Sequence, residues 1–151
     1  MGLVRPERSG RSLAITDVGS GVPVMSHETR YSRRFDAEPA SAAIVRKYVR
    51  DSLEDCKVRS DEAVFLANEL ATNAIVHARS EFVVEVSLFD RTCRIEVVDS
   101  DPTHPHEPPK NNSQPSGRGL ALVKALSRSW GVEPRNAGKG VWCDVAISPG
   151  P

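Results

Sequence analysis

At 151 residues the chain has room for one ordinary domain with a single buried core. Lysine plus arginine and aspartate plus glutamate each total 20, so the net charge is zero and no long-range field draws the protein to nucleic acid or to an anionic membrane. The three cysteines, Cys56, Cys93 and Cys143, lack a C-x-x-C spacing, and no stretch reaches the roughly 18 apolar residues of a membrane span or forms a signal-peptide core, which argues for a reducing, cytoplasmic setting without a disulfide framework or a zinc site.

Residues 1–27 mix Gly, Ser, Arg and Pro around two short apolar patches and are expected to be a mobile tail; residues 28–148 are expected to be the folded domain and 149–151 its end. Residues 28–35 suggest a first strand. Pro39-Ala40-Ser41 opens a helix to about Leu53, with Ala43, Ile44, Lys47, Tyr48 and Val49 as its apolar stripe. Ser60-Asp61 opens a second helix to about His77. Alternation of Phe82, Val84, Val86 and Leu88 marks a strand, Asp90-Arg91 turns it, and residues 93–98 return as the second arm of a hairpin. Residues 100–116 hold Pro102, Pro105, Pro108, Pro109 and Pro115 and are long for a passive connector. Gly117 begins a third helix to about Ser129, with Leu120, Val123, Ala125 and Leu126 apolar; strands at 130–132 and 140–147 finish the chain. Hairpins rather than crossover helices join most strands. The expected fold is therefore an α+β two-layer sandwich, a mixed, largely antiparallel sheet with helices on one face.

Three stretches carry candidate chemistry. Glu69, Asn73 and His77 stand four residues apart and share one face of the second helix, beside the core-facing Leu66, Leu70 and Ala74. Such a stripe is either a solvated helix face or an amide and carboxylate suited to Mg2+, which keeps most of its waters and leans on substrate phosphates. Gly117-Arg118-Gly119-Leu120, where the long loop meets a helix, is either a hinge or an anion cradle built from free N–H groups and the positive end of the helix dipole. Arg118 reaches either a γ-phosphate or solvent. Asp99 ends a strand, where it is either a turn residue or an acceptor for an exocyclic amine such as that of adenine. His104 and His106 lack a third metal ligand, Cys93 and Cys143 read as small core residues, and Trp130 and Trp142 as core or interface.

The order of these stretches resembles that of the GHKL, or Bergerat-fold, ATPases: a helical N box, a glycine box after a strand, then a second glycine box. Asn68-Glu69-Leu70-Ala71-Thr72-Asn73-Ala74 is most similar to the N box of the small anti-sigma-factor and serine-kinase branch, including its single-domain actinobacterial members. The resemblance implies ATP and Mg2+ as cofactors. Asn73 would hold Mg2+, Glu69 would act as general base, Asp99 would bind the adenine amino group, and Gly117, Gly119 and Leu120 would contact phosphates, with Arg118 among them. The activity implied is that of an ATP-binding anti-sigma factor with protein serine/threonine kinase activity on an anti-sigma-factor antagonist of the STAS type. The alternative is a non-catalytic regulatory module that sequesters its partner. Partners would be that antagonist and a sigma factor, in a homodimer without direct nucleic-acid or membrane contact. The chain departs from the family pattern at Asp101, where D-x-G is usual, and at Gly140, which takes the place of a threonine whose hydroxyl helps fix adenine; Asn68, replacing a serine, is expected to face away from the Glu69 stripe.

Overall fold

The computed structural model describes residues 8–16, 24–101, 118–136 and 138–151. Six strands form one sheet: β1 (Arg8–Thr16), β2 (Val24–Phe35), β4 (Phe82–Phe89), β5 (Thr92–Asp99), β7 (Gly138–Ala146) and β6 (Ser129–Arg135), in that spatial order. Every neighbouring pair is antiparallel, so the parallel component expected of a mixed sheet is absent among the described residues. A second pairing joins two short strands, β3 (Val58–Arg59) and β8 (Ser148–Pro149). Three helices, α1 (Ser41–Asp55), α2 (Asp61–Asn73) and α3 (Arg118–Leu126), cover one face.

Alternation along the strands decides which face that is. Phe82, Val84, Val86 and Leu88 of β4, Cys93, Ile95 and Val97 of β5, and Val141, Cys143 and Val145 of β7 are buried in one core with the helices. The opposite face is polar and held by charge: Arg94 grips Asp144 through Nε and Nη2 at 2.7 and 2.8 Å, its guanidinium 4.1 Å from the Trp142 ring centre, and Arg135 reaches Glu96 at 2.8 Å. Burial pushes the Glu96 carboxyl upward, opposed by the nearby Arg135 charge.

α2 is central, packed against α1 on one side, α3 on the other, and β5 and β7 beneath. Ala63, Leu66, Ala67, Leu70 and Ala71 are its buried stripe, at the three- and four-residue spacing of an amphipathic helix. Ser60 caps it by accepting a hydrogen bond from the Ala63 N–H at 3.1 Å. In α1 the buried stripe is Ser41, Val45, Tyr48, Val49, Ser52 and Leu53; of the expected stripe Tyr48 and Val49 are buried, whereas Ala43, Ile44 and Lys47 are exposed. Two serines stand in that stripe, and Ser52 Oγ donates to the Tyr48 carbonyl at 2.8 Å. In α3, Leu120 and Val123 are buried as expected, whereas Ala125 and Leu126 are exposed.

Two further differences from the sequence reading lie at the start of the chain. Residues read as a mobile tail include β1, which pairs with β2 through rungs such as Ser12 with Glu28, and β2 itself begins at Val24 rather than near Glu28. Backbone pairing holds β1 without requiring the apolar alternation by which strands are recognised.

Candidate functional site

Glu69 and Asn73 emerge half-buried from the flank of α2, four residues apart, with their rotation fixed by the apolar stripe beside them. Among the described residues neither side chain takes a protein hydrogen-bond partner. Asn68 points elsewhere, as its offset of one residue requires: its Oδ1 accepts from Arg46 Nη1 on α1 at 2.6 Å. Immediately after Asn73 the helix widens into a π-helical turn, Ala74–Ala78, closed by Arg79 in the left-handed region at φ 52°. The regular α-helix thus stops four residues short of the expected end, and His77, exposed in this turn, does not continue the stripe at regular α-helical spacing.

Asp99 is the last residue of β5 and is buried. It follows Cys93, Ile95 and Val97 on the helix-covered face, and its rung partner on β7 is Lys139, which precedes Val141, Cys143 and Val145 on that same face. Lys139 Nζ lies 3.2 Å from Asp99 Oδ1 and donates to the Asp101 carbonyl at 2.9 Å, while the Asp101 N–H donates to Asp99 Oδ1, also at 2.9 Å. Lysine, carboxylate and turn therefore form a closed triangle. The sequence reading missed Lys139, although the alternation Lys139, Val141, Cys143, Val145 carried the signal.

Glycine geometry corrects one expectation. A Cβ on Gly140 would meet Glu96 and Arg135, on the polar face away from the helices, so a hydroxyl there would point away from Asp99 and its replacement by Gly140 removes nothing from that side. Gly138 has a different reason to be glycine, because its backbone lies against the Asp99 carbonyl and a Cβ would overlap it.

The second glycine stretch is described in part. Gly117 lies outside the described residues, as do His104, His106 and the rest of residues 102–116, and so does the side chain of Arg118. Arg118 and Gly119 form the first turn of α3, where N–H groups lack intrahelical partners, and Leu120 is buried against the core side. Packing of α3 on α2, and of α2 with its π-helical turn on β5, sets the three stretches on adjoining elements. A cavity of about 530 Å3 at the end of the sheet is lined by Asp99, Ser100, Val98, Gly138, Arg34 and Arg135; Glu69 and Asn73 do not line it.

Chemically, Asp99 fits an amine-bearing ligand. Both hydrogen bonds it accepts among the described residues land on Oδ1, so Oδ2 keeps its accepting capacity. The Asn73 amide oxygen can supply one ligand to a hydrated, hard cation, whose other positions would fall to water and ligand oxygens.

Residues 35–144, most of the chain, match the histidine kinase-like ATPase domain. The chain belongs to that family. The antiparallel sheet with helices on one face is consistent with its Bergerat-type fold, and binding of ATP is the function the domain implies. An uncharacterized protein of Streptomyces coelicolor is similar to it, 41% identical over 58 residues, which are 37% of this chain and 55% of the relative. The chain thus spans about half the length of the curated relative it matches. No helix among the described residues is long and apolar enough to cross a membrane.

Proposed function

We propose that this ATPase domain is a protein serine/threonine kinase and anti-sigma factor, which phosphorylates an anti-sigma-factor antagonist of the STAS type and is controlled by it. The observation that carries this reading is the pair Glu69 and Asn73, without a side-chain hydrogen-bond partner among the described residues, on the flank of a helix whose other face is locked in the core. Asn73 would hold Mg2+ against the phosphates, Asp99 would accept from the adenine amine through Oδ2, and the backbone N–H groups of Gly117 and of the first turn of α3, Arg118 to Leu120, would receive phosphate oxygens. ATP with Mg2+ supplies a transferable γ-phosphoryl group with its charge partly neutralised. Glu69 takes the proton of the antagonist's serine hydroxyl as that oxygen bonds to the γ-phosphorus; the bond from phosphorus to the β–γ bridging oxygen breaks, and ADP leaves. Positioning and charge neutralisation dominate such transfers, so one base and one metal ligand suffice. The added phosphate charge expels the antagonist, and the freed domain, a cytoplasmic homodimer in this reading, holds its sigma factor.

A second reading, a module that sequesters its partner without phosphoryl transfer, is favoured by the departure from the family pattern at Asp101, where the first glycine box usually ends in glycine. Incubation with γ-labelled ATP and the antagonist separates the two. Acid-stable label on serine is expected, with Glu69→Gln slowing its appearance by roughly 100- to 10,000-fold while ATP still binds. Nucleotide binding without transfer would leave sequestration as the function.

A further inference from the structure

We infer that Lys139 is a positioning residue for base recognition, which fixes the Asp99 carboxylate so that Oδ2 alone accepts from an exocyclic amine; this rests on the nucleotide-binding reading of the site. Three observations carry it. The lysine is buried on the helix-covered face, where an ammonium is costly unless paired. Its chain is committed by register, since Lys139 is the rung partner of Asp99 and the next residue on that face is the core residue Val141. Finally, Nζ makes two bonds with different jobs: the one to Asp99 Oδ1 sets the carboxylate, and the one to the Asp101 carbonyl holds the turn that follows.

The turn at Asp101 is held by a charged strut from the neighbouring strand, Lys139, aided by the Asp101 N–H on Asp99 Oδ1. The consequence for specificity is directional. With Oδ1 saturated by a lysine and a main-chain N–H, the carboxylate presents one acceptor in one orientation, which suits the 6-amino group of adenine and leaves a 6-unsubstituted purine unrewarded. Without Lys139 the carboxylate is free to rotate and to exchange its acceptors, and selectivity for the amine falls even where overall affinity survives.

The test compares Kd for ATP with Kd for purine riboside triphosphate, which lacks the amine, by calorimetry on wild type, Lys139→Met, Asp99→Asn and the double variant. Wild type should prefer ATP by roughly tenfold or more, as expected for a hydrogen bond to a charged group. Lys139→Met should reduce that preference to within about threefold, and in the Asp99→Asn background it should change the preference no further, because the lysine acts through the carboxylate. A purely structural lysine would weaken both ligands equally, and an unchanged ratio in Lys139→Met overturns the inference. Should wild type bind neither triphosphate, the nucleotide reading fails and the inference with it; tight binding of both without preference sinks the inference alone. Because Lys139→Met leaves Asp99 buried without its counter-charge and can unfold the chain, a second measurement uses the wild type only. The hydrogen-bonded Lys139 ammonium resonance in 15N NMR should shift with ATP and stay in place with purine riboside triphosphate; equal shifts overturn the inference.

Discussion

Gly138→Ala tests the packing on which the Asp99 corner depends. A Cβ at this position would lie 2.7 Å from both the Asp99 carbonyl carbon and the Ser100 Cα, and closer still to the Asp99 oxygen. Carbon atoms in ordinary contact stand about 3.5–4.0 Å apart, so the start of β7 must withdraw from β5 by about 1 Å. Both sides are backbone, which no rotamer change can relieve. Overpacking by one carbon costs about 1–3 kcal/mol, and loosening the Asp99–Lys139 rung adds about 1 kcal/mol for a weakened backbone hydrogen bond. The expected loss is about 2–4 kcal/mol, a fall of about 1–2 M in the urea midpoint at a slope near ~2 kcal/mol/M. Gly140→Ala is the control: its Cβ meets the Glu96 carboxylate and, at 3.3 Å, Arg135 Cγ, flexible side chains that can swing aside. Equal midpoints for the two variants, or a Gly138→Ala loss below about 0.5 kcal/mol, would refute the reasoning.

Three more outcomes are expected. Mg-ATP at 100 times its Kd should raise wild-type stability by about 2.7 kcal/mol, and Asn73→Ala should lose the Mg2+-dependent part of that gain; thermal shift with and without the metal reads this, and an unaltered Mg2+ dependence would remove Asn73 from the metal. Thiol chemistry gives an independent check on the core. Burial pushes the Cys143 thiol up to about 12, with the Asp144 charge adding to it, and burial pushes Cys93 up as well. Alkylation at pH 8 should therefore modify only the half-buried Cys56 in the native protein and all three cysteines in urea. For an acid whose native pKa is raised, the unfolded chain deprotonates first, so stability should decline as pH rises through the ordinary thiol range; a flat profile from pH 8 to 10 would contradict this burial.

What the sequence made legible was set by how each element declares itself. The helix α2 was readable because Ser60 marks its start and Leu66, Leu70 and Ala74 repeat at helical spacing, and the β4–β5 hairpin because alternating valines flank Asp90, which turns in the left-handed region at φ 51°. Asn68 facing away from Glu69 followed from helix geometry alone. By contrast, β1 offers no alternation, α1 buries two serines that a hydropathy stripe passes over, and a π-helical turn changes hydrogen-bond register without changing composition. Lys139 and Gly140 were hard for one shared reason. Which face a strand residue takes depends on its pairing with β5, and a one-residue error exchanges the buried side for the exposed one.

The π-helical turn after Asn73 also bears on how this region tolerates change. An extra residue wound into a helix absorbs length: everything upstream of it keeps its rotation against the sheet, while everything downstream can be shortened or extended by one position. Because the bulge sits on the C-terminal side of Glu69 and Asn73, insertions or deletions between the bulge and β4 should be taken up locally. Glu69 and Asn73, on the regular part of the helix, keep the rotation that its buried stripe sets.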